Sequence, residues 1–289
     1  MSNLSDSLAS NDFTLTAELN PPKGTDLGDV MSAGEALRGL VAAFNLTDSA
    51  ASRMTMAPIA VAHLLADRGI ESTLQITGRD RNRLAIQADM LAAHALGVAN
   101  ILCMSGDPPS AGDHPEAKPV FDLGAAEILR AAGSLAAGLD LSGNSVKDGP
   151  DFYRGAVVNV AVPDVGREIA RMEQKVEAGA QFFQTNAVYD PAGFEAFMKR
   201  AGEFNVPILA GIIMLKSARQ ARYMTEKIPG VVVPDELTGE LERAGDVART
   251  SIRMAGGLVR DVAPMCQGVH IMAIGWERRI PEVMEAAGI

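Results

Sequence analysis

Residues 72–105, STLQITGRDRNRLAIQADMLAAHALGVANILCMS, place two apolar runs on either side of a longer amphipathic segment. The runs at 72–77 and 100–105 have the length and composition of buried strands. The segment at 80–97 has helical periodicity and ends at Gly97, a residue type that commonly terminates helices. The stretch therefore predicts a strand–helix–strand unit, in which the two strands are parallel.

The same alternation continues in both directions along the chain. Strand-like runs recur at 13–19, 41–47, 155–162, 180–185, 206–214 and 268–274, and helical periodicity at 57–69, 124–138 and 166–179. Eight strand–helix units are the number that a closed (β/α)8 barrel needs, whereas an open doubly wound sheet is the structural alternative. We predict an α/β fold of the TIM barrel type, with residues 1–289 forming a single catalytic domain.

Composition narrows the class of protein. The chain has 36 acidic and 26 basic residues and a formal net charge of -10, which disfavours nucleic acid and anionic membranes as partners. The N-terminus lacks the pattern of a signal peptide, and no apolar run is long enough to span a membrane, so we expect a cytoplasmic protein. The two cysteines and four histidines are scattered without metal-ligand spacing, and no metal is predicted. Apolar faces on the predicted helices could support assembly, so a homo-oligomer is possible.

In a parallel barrel, functional side chains lie at the carboxyl ends of strands. Alternation in TLTAEL places Thr14, Thr16 and Glu18 on one face, which points into the barrel if Leu15 and Leu19 face the helices. A partly desolvated carboxyl at this position has a raised pKa and suits proton donation near neutral pH. The alternative is a carboxylate that pairs with a neighbouring arginine or lysine at the rim of the barrel.

Two further groups of charged residues have open interpretations. Asp107 follows Gly106 and precedes two prolines, so its carboxylate either binds a ligand at the barrel mouth or caps a stiff turn. Glu168, Arg171 and Lys175 share one face of a helix, which is either a solvated charged surface or a binding surface.

Arg79, Arg81 and Arg83 flank Asp80 at the start of a predicted helix. This arrangement is typical either of an anion-binding site or of a charged first turn.

Four segments carry a resemblance to a known family. TAELNPPKG (16–24), the stretch from Leu74 to Pro109, EQKVEAGAQFFQTNAVYD (173–190) and GVHIMAIGWERRIPEVMEAAGI (268–289) resemble the corresponding parts of methylenetetrahydrofolate reductases. The similarity runs over nearly the whole chain. It implies a (β/α)8 barrel that binds FAD, accepts hydride from NADH or NADPH, and reduces methylenetetrahydrofolate to methyltetrahydrofolate in one-carbon metabolism.

The resemblance also implies roles for individual residues. Glu18 matches the general acid that assists opening of the folate five-membered ring, and Asp107 matches a carboxylate between the pterin and the flavin. Flavin-contacting positions are Thr47, Gln75, Met104, Ser105, Gly106, Asp107, Asn159, Glu168, Arg171 and Lys175. Folate-binding positions are Glu18, Asp107, Gln184 and Asn186.

The chain departs from the family pattern at several of these positions. The folate-binding glutamine falls on Asn186, with Gln184 as a substitute two residues earlier, and a flavin-site histidine is Gln75 here. These departures keep two alternatives open. One is a flavin-independent reductase that passes hydride directly from NADH or NADPH to folate, and the other is a non-catalytic folate- or pterin-binding barrel.

Overall fold

A computed structural model describes residues 2–10, 12–228 and 230–289. Eight parallel strands form a closed barrel in which each strand pairs with its neighbours in sequence, and the last strand pairs with the first. The strands are β1 (Thr14–Leu19), β2 (Ala43–Leu46), β3 (Ser72–Thr77), β4 (Asn100–Met104), β5 (Tyr153–Val158), β6 (Phe182–Ala187), β7 (Ile208–Ile213) and β8 (Gly268–Met272). The predicted TIM barrel is confirmed, and the open-sheet alternative is wrong.

One or more α-helices follow each strand. The helices are α1 (Asn3–Ala9), α2 (Gly28–Ala36), α3 (Pro58–Ala66), α4 (Arg83–Ala95), α5 (Ala125–Ala136), α6 (Val165–Glu177), α7 (Pro191–Ala201), α8 (Ala218–Lys227), α9 (Asp235–Arg243), α10 (Val247–Val262) and α11 (Ile280–Ala287). Within the described ranges, none of them combines the length and apolar character needed to cross a lipid bilayer.

The two faces of β1 have different environments. Leu15, Ala17 and Leu19 are buried in the apolar layer between the strands and the helices. The opposite face turns toward the barrel axis, where the Thr16 hydroxyl lies 3.0 Å from Nδ1 of His270 on β8. Burial lowers the pKa of His270 to about 3, so this imidazole is neutral and packs as part of the barrel interior. The predicted orientation of the Glu18 face is confirmed.

Helix α1 closes the amino end of the barrel. Its Leu4 and Leu8 are buried in a cluster with interior residues of four strands, Ala43, Leu102, Phe182 and Leu209. The Glu71 carboxylate accepts hydrogen bonds from the backbone N–H groups of Asn3 and Leu4, at 2.7 and 3.0 Å, and so satisfies the first turn of the helix. Because this end of the barrel is plugged, ligands have access to the interior from the carboxyl ends of the strands.

Candidate active site

A cavity of about 740 Å³ opens at the carboxyl ends of β2 to β5, a size typical of cofactor and ligand sites. Its walls come from the loops after these strands and from the facing sides of α5 and α6. Nine residues that the sequence assigned to the site line it: Gln75, Met104, Ser105, Gly106, Asp107, Asn159, Glu168, Arg171 and Lys175. The fold therefore brings together residues that are up to 100 positions apart in the sequence.

The turn after β4 requires glycine at its centre. Gly106 has a φ of +88°, and a Cβ at this position would lie 3.1 Å from the Cβ atoms of Thr77 and Arg79. The turn presents the exposed carboxylate of Asp107 next to the cavity, while its backbone carbonyl accepts a 2.7 Å hydrogen bond from the Ser52 hydroxyl. Backbone conformation and close packing thus explain the Gly-Asp sequence that ends this strand.

Three loops are joined above the barrel mouth. The Asp113 carboxylate, in the loop after β4, pairs with Lys23 from the loop after β1. It also accepts a 3.0 Å hydrogen bond from the backbone N–H of Met54 in the loop after β2. The Lys23 ammonium, the Met54 N–H and His114 hold the pKa of Asp113 well below its usual range. These contacts fix the position of the loops on the β1, β2 and β4 side of the mouth.

The wall contributed by α6 combines two cations with a buried carboxylate. Glu168 is only 5% exposed, and its carboxylate accepts hydrogen bonds from the Asn159 N–H at 3.1 Å and from Arg171 at 3.3 Å. The Lys175 ammonium donates a 2.6 Å hydrogen bond to the Val157 carbonyl at the end of β5. Burial lowers the pKa of Lys175, and the neighbouring Glu168 carboxylate opposes this effect. This face of α6 is a cavity wall, so the solvated-surface alternative is wrong for Glu168.

The three arginines after β3 are paired with carboxylates. Arg79 bonds Asp80, which raises the pKa of its guanidinium, and it also donates to the Ser52 hydroxyl at 3.1 Å. Arg81 pairs with Asp48 and Asp89, and Arg83 pairs with Asp122. Because each guanidinium already pairs with a carboxylate, the three arginines fit a charged first turn better than an anion-binding site.

Glu18 lies near the carboxyl end of β1 and is partly buried. Its Oε1 accepts a 3.2 Å hydrogen bond from the Asn20 amide, whose Oδ1 accepts a 2.9 Å hydrogen bond from the buried Thr47 hydroxyl. Burial raises the pKa of Glu18 to about 7, the Asn20 hydrogen bond lowers it, and the field of Glu277 raises it. Within the described residues no lysine or arginine pairs with this carboxyl, and the rim ion pair considered above is not formed.

Four predicted site residues lie outside the lining of the cavity: Glu18, Thr47, Gln184 and Asn186. Gln184 is buried inside the barrel and exchanges two hydrogen bonds with Asn45 across it, at 2.6 and 3.2 Å. The Asn186 amide accepts from the Val160 N–H at 3.0 Å and donates to the Gly230 carbonyl. Both hydrogen bonds of the Gln184 amide are therefore made inside the barrel, whereas Asn186, near the carboxyl end of β6, bonds residues outside the strands.

Glu18 and Asp107 nevertheless belong to the same end of the molecule. Both follow or end parallel strands of one barrel, β1 and β4, whose carboxyl ends share one rim. The side chains of Glu18 and Asp107 thus lie at the end of the barrel on which the 740 Å³ cavity opens.

Two polar residues at strand ends have roles that sequence reasoning did not assign. Asn20 is the hydrogen-bond donor to Glu18. Asp48 accepts from the N–H and hydroxyl of Thr77, at 2.9 and 2.8 Å, and so joins the ends of β2 and β3. The sequence marks both as polar residues at strand ends, but the hydrogen-bond partner of each side chain depends on how the loops pack.

Comparison with known proteins identifies the family to which the chain belongs. The family model described as methylenetetrahydrofolate reductase matches residues 3–288. The chain belongs to the methylenetetrahydrofolate reductase family. Methylenetetrahydrofolate reductase 2 of Schizosaccharomyces pombe is 26% identical over 238 residues, which cover 76% of this chain and 36% of the yeast protein. A probable methylenetetrahydrofolate reductase (NADH) of Oryza sativa is 24% identical and matches over 61% of this chain and 30% of its own length. The chain thus spans about a third of the length of these curated relatives.

Solved structures share the fold. A Clostridium thermocellum protein described as binding two copies of 5-methyl-5,6,7,8-tetrahydrofolic acid superimposes with a TM-score of 0.68. The alignment covers 99% of each chain at 15% sequence identity. At this identity the likeness shows a common fold.

Proposed function

We propose that this member of the family reduces 5,10-methylenetetrahydrofolate to 5-methyltetrahydrofolate with NADH or NADPH, using bound FAD. The observation that carries the proposal is Glu18, a carboxyl with a pKa of about 7 at the rim on which the 740 Å³ cavity opens. A group with this pKa holds a proton at neutral pH and releases it readily, as a general acid must.

The reaction needs one proton and one hydride. In the proposal, Glu18 gives its proton to the departing ring nitrogen of methylenetetrahydrofolate, which opens the five-membered ring and leaves a cationic iminium carbon. Hydride that originates from NADH or NADPH, and that bound FAD would relay, adds to that carbon and completes the methyl group. The carboxylate of Asp107, held by the Gly106 turn, stabilises the cation and the N–H edge of the pterin.

Two features of the cavity support FAD as its occupant. Arg171 and Lys175 place two cations on the α6 wall, where they would hold the diphosphate of a dinucleotide. Gln75 and Met104, from the ends of β3 and β4, offer an amide and a polarisable surface to a flat heterocycle. When bound, FAD supplies hydride chemistry that protein side chains lack.

Substrate recognition in this proposal uses Asn186 rather than Gln184. The two hydrogen bonds between Gln184 and Asn45 occupy the Gln184 amide inside the barrel, whereas Asn186, near the carboxyl end of β6, bonds loop groups on the side where the cavity opens. The rice relative is named as an NADH enzyme, which supports NADH as the hydride donor here.

The experiment measures 5-methyltetrahydrofolate formed from methylenetetrahydrofolate and NADH or NADPH, for the native protein, Glu18→Gln and Glu195→Gln. Glu195 is an exposed residue on α7, and its variant controls for the loss of one carboxylate. We expect product from the native protein and from Glu195→Gln, and a loss of at least about 100-fold in Glu18→Gln. Full activity of Glu18→Gln would overturn the assigned role. Folate binding without product under either donor would favour the non-catalytic alternative.

A further inference from the structure

We propose that Asn20 is a positioning residue for the reaction, which orients the Glu18 carboxyl so that its Oε2 atom carries the transferred proton. This inference rests on the proposed function and extends it to a residue that does not contact the reacting atoms. It starts from the chain of two hydrogen bonds that links Thr47, Asn20 and Glu18.

The Asn20 amide bonds Thr47 with one side and Glu18 with the other. The Thr47 hydroxyl is buried and donates to Oδ1 of Asn20 at 2.9 Å, so the acceptor side of the amide faces β2. The donor side, Nδ2, consequently faces Glu18 and donates to Oε1 at 3.2 Å. Rotation of the amide by 180° would place its NH2 group against Thr47 and remove the donor from Glu18.

This bond distinguishes the two oxygens of Glu18. An oxygen that accepts an N–H bond is the carbonyl oxygen of a protonated carboxyl group, so the proton resides on the other oxygen, Oε2. A carboxyl free to rotate would present either oxygen to the substrate. With Asn20 in place one arrangement is favoured, and the acid is preorganised for transfer in one direction.

The groups around Glu18 determine how its pKa responds when the Asn20 hydrogen bond is lost. Glu277, from the segment after β8, raises the pKa of Glu18, and the Asn20 N–H opposes burial by stabilising the charged form. On β2 the residue in register with Glu18 is Asn45, which carries no charge. Loss of the Asn20 donor therefore moves deprotonation of Glu18 to higher pH.

The main test uses Asn20→Leu, which keeps approximate size and removes the donor. We expect kcat for folate reduction to fall about 10-fold with KM changed less than about twofold, because ground-state binding is untouched. The alkaline limb of the pH profile should move upward by about half a unit or more. Reduction of the protein by NADH in the absence of folate should keep its native rate.

A matched pair at Thr47 tests the same chain from its other end. Thr47→Val removes the hydroxyl that donates to Oδ1 of Asn20, whereas Thr47→Ser keeps it. We expect the alkaline limb of the pH profile to shift in Thr47→Val as it does in Asn20→Leu, and to keep its native position in Thr47→Ser, whatever the absolute rate of either variant. Equal profiles for the two Thr47 variants, or an unshifted profile for a folded Asn20→Leu, would overturn the inference.

Failure of the inference and failure of the proposed function give different results. If the native protein forms no methyltetrahydrofolate, the proposed function fails and the inference falls with it. If the native protein is active and Asn20→Leu reproduces its kcat and pH profile, the inference alone is wrong.

Discussion

Glu18 lies in an environment that differs strongly from water. Its pKa of about 7 arises first from burial, and its folded value lies above the ordinary value of 4.5. A carboxyl with a raised pKa stabilises the fold while protonated, and this stabilisation is lost as pH rises from about 4.5 through about 7. Glutamine does not titrate, so the comparison with Glu18→Gln isolates this effect.

We therefore expect Glu18→Gln to gain stability relative to the native protein as pH rises. Between pH 5.5 and pH 8 the difference in unfolding free energy should change by about 1–2 kcal/mol in favour of the variant. Urea denaturation at the two pH values measures it. A difference that stays constant across this range would show that the Glu18 pKa is not raised.

Sequence alone could predict which way Glu18 points, because alternation along β1 is a local property. It could not predict the hydrogen bond from Asn20 or the one from Thr47. Those depend on how the loop after β1 lies against the end of β2, which is a tertiary property.

At the scale of elements, α6 forms one wall of the cavity. Its periodicity and the shared face of Glu168, Arg171 and Lys175 could be read from the sequence. The burial of Glu168 could not, because it depends on the Asn159 N–H at the end of β5 approaching the helix.

The two arginines of α6 form a matched pair for testing this wall. Arg171 lines the cavity, whereas Arg167 is exposed one turn earlier and does not. We expect Arg171→Ala to weaken FAD binding about 10-fold, through loss of a charged contact to phosphate, and Arg167→Ala to change it less than about twofold. Titration of the apoprotein by flavin fluorescence gives both values. Equal effects of the two substitutions would place the anionic part of the ligand elsewhere.

At the scale of the whole molecule, the barrel could be predicted from eight repeats of one local pattern. The plug formed by α1 could not, because its partners are interior residues of strands far along the chain. Predictions of homo-oligomer formation and cytoplasmic location, and of weak affinity for nucleic acid, stay predictions.

The α1 plug can be tested with two leucines. Leu4 is fully buried against the barrel interior, whereas Leu84 on α4 is 74% exposed. We expect Leu4→Ala to lower the free energy of unfolding by about 2–4 kcal/mol, and Leu84→Ala to change it by less than about 0.5 kcal/mol. Chemical denaturation of both variants at one pH makes the comparison. A Leu4→Ala protein as stable as the native one would show that α1 does not dock in solution.

The central claim is that proton donation by Glu18 and hydride transfer from a cofactor in the cavity meet at one rim. Anaerobic absorption spectra of the purified protein, taken after NADH or NADPH and again after methylenetetrahydrofolate, test it most directly. The account predicts a flavin spectrum that bleaches with the nicotinamide and returns with folate in the native protein, and that bleaches but does not return in Glu18→Gln. A colourless protein that still forms methyltetrahydrofolate, or a full return of colour in Glu18→Gln, would contradict it.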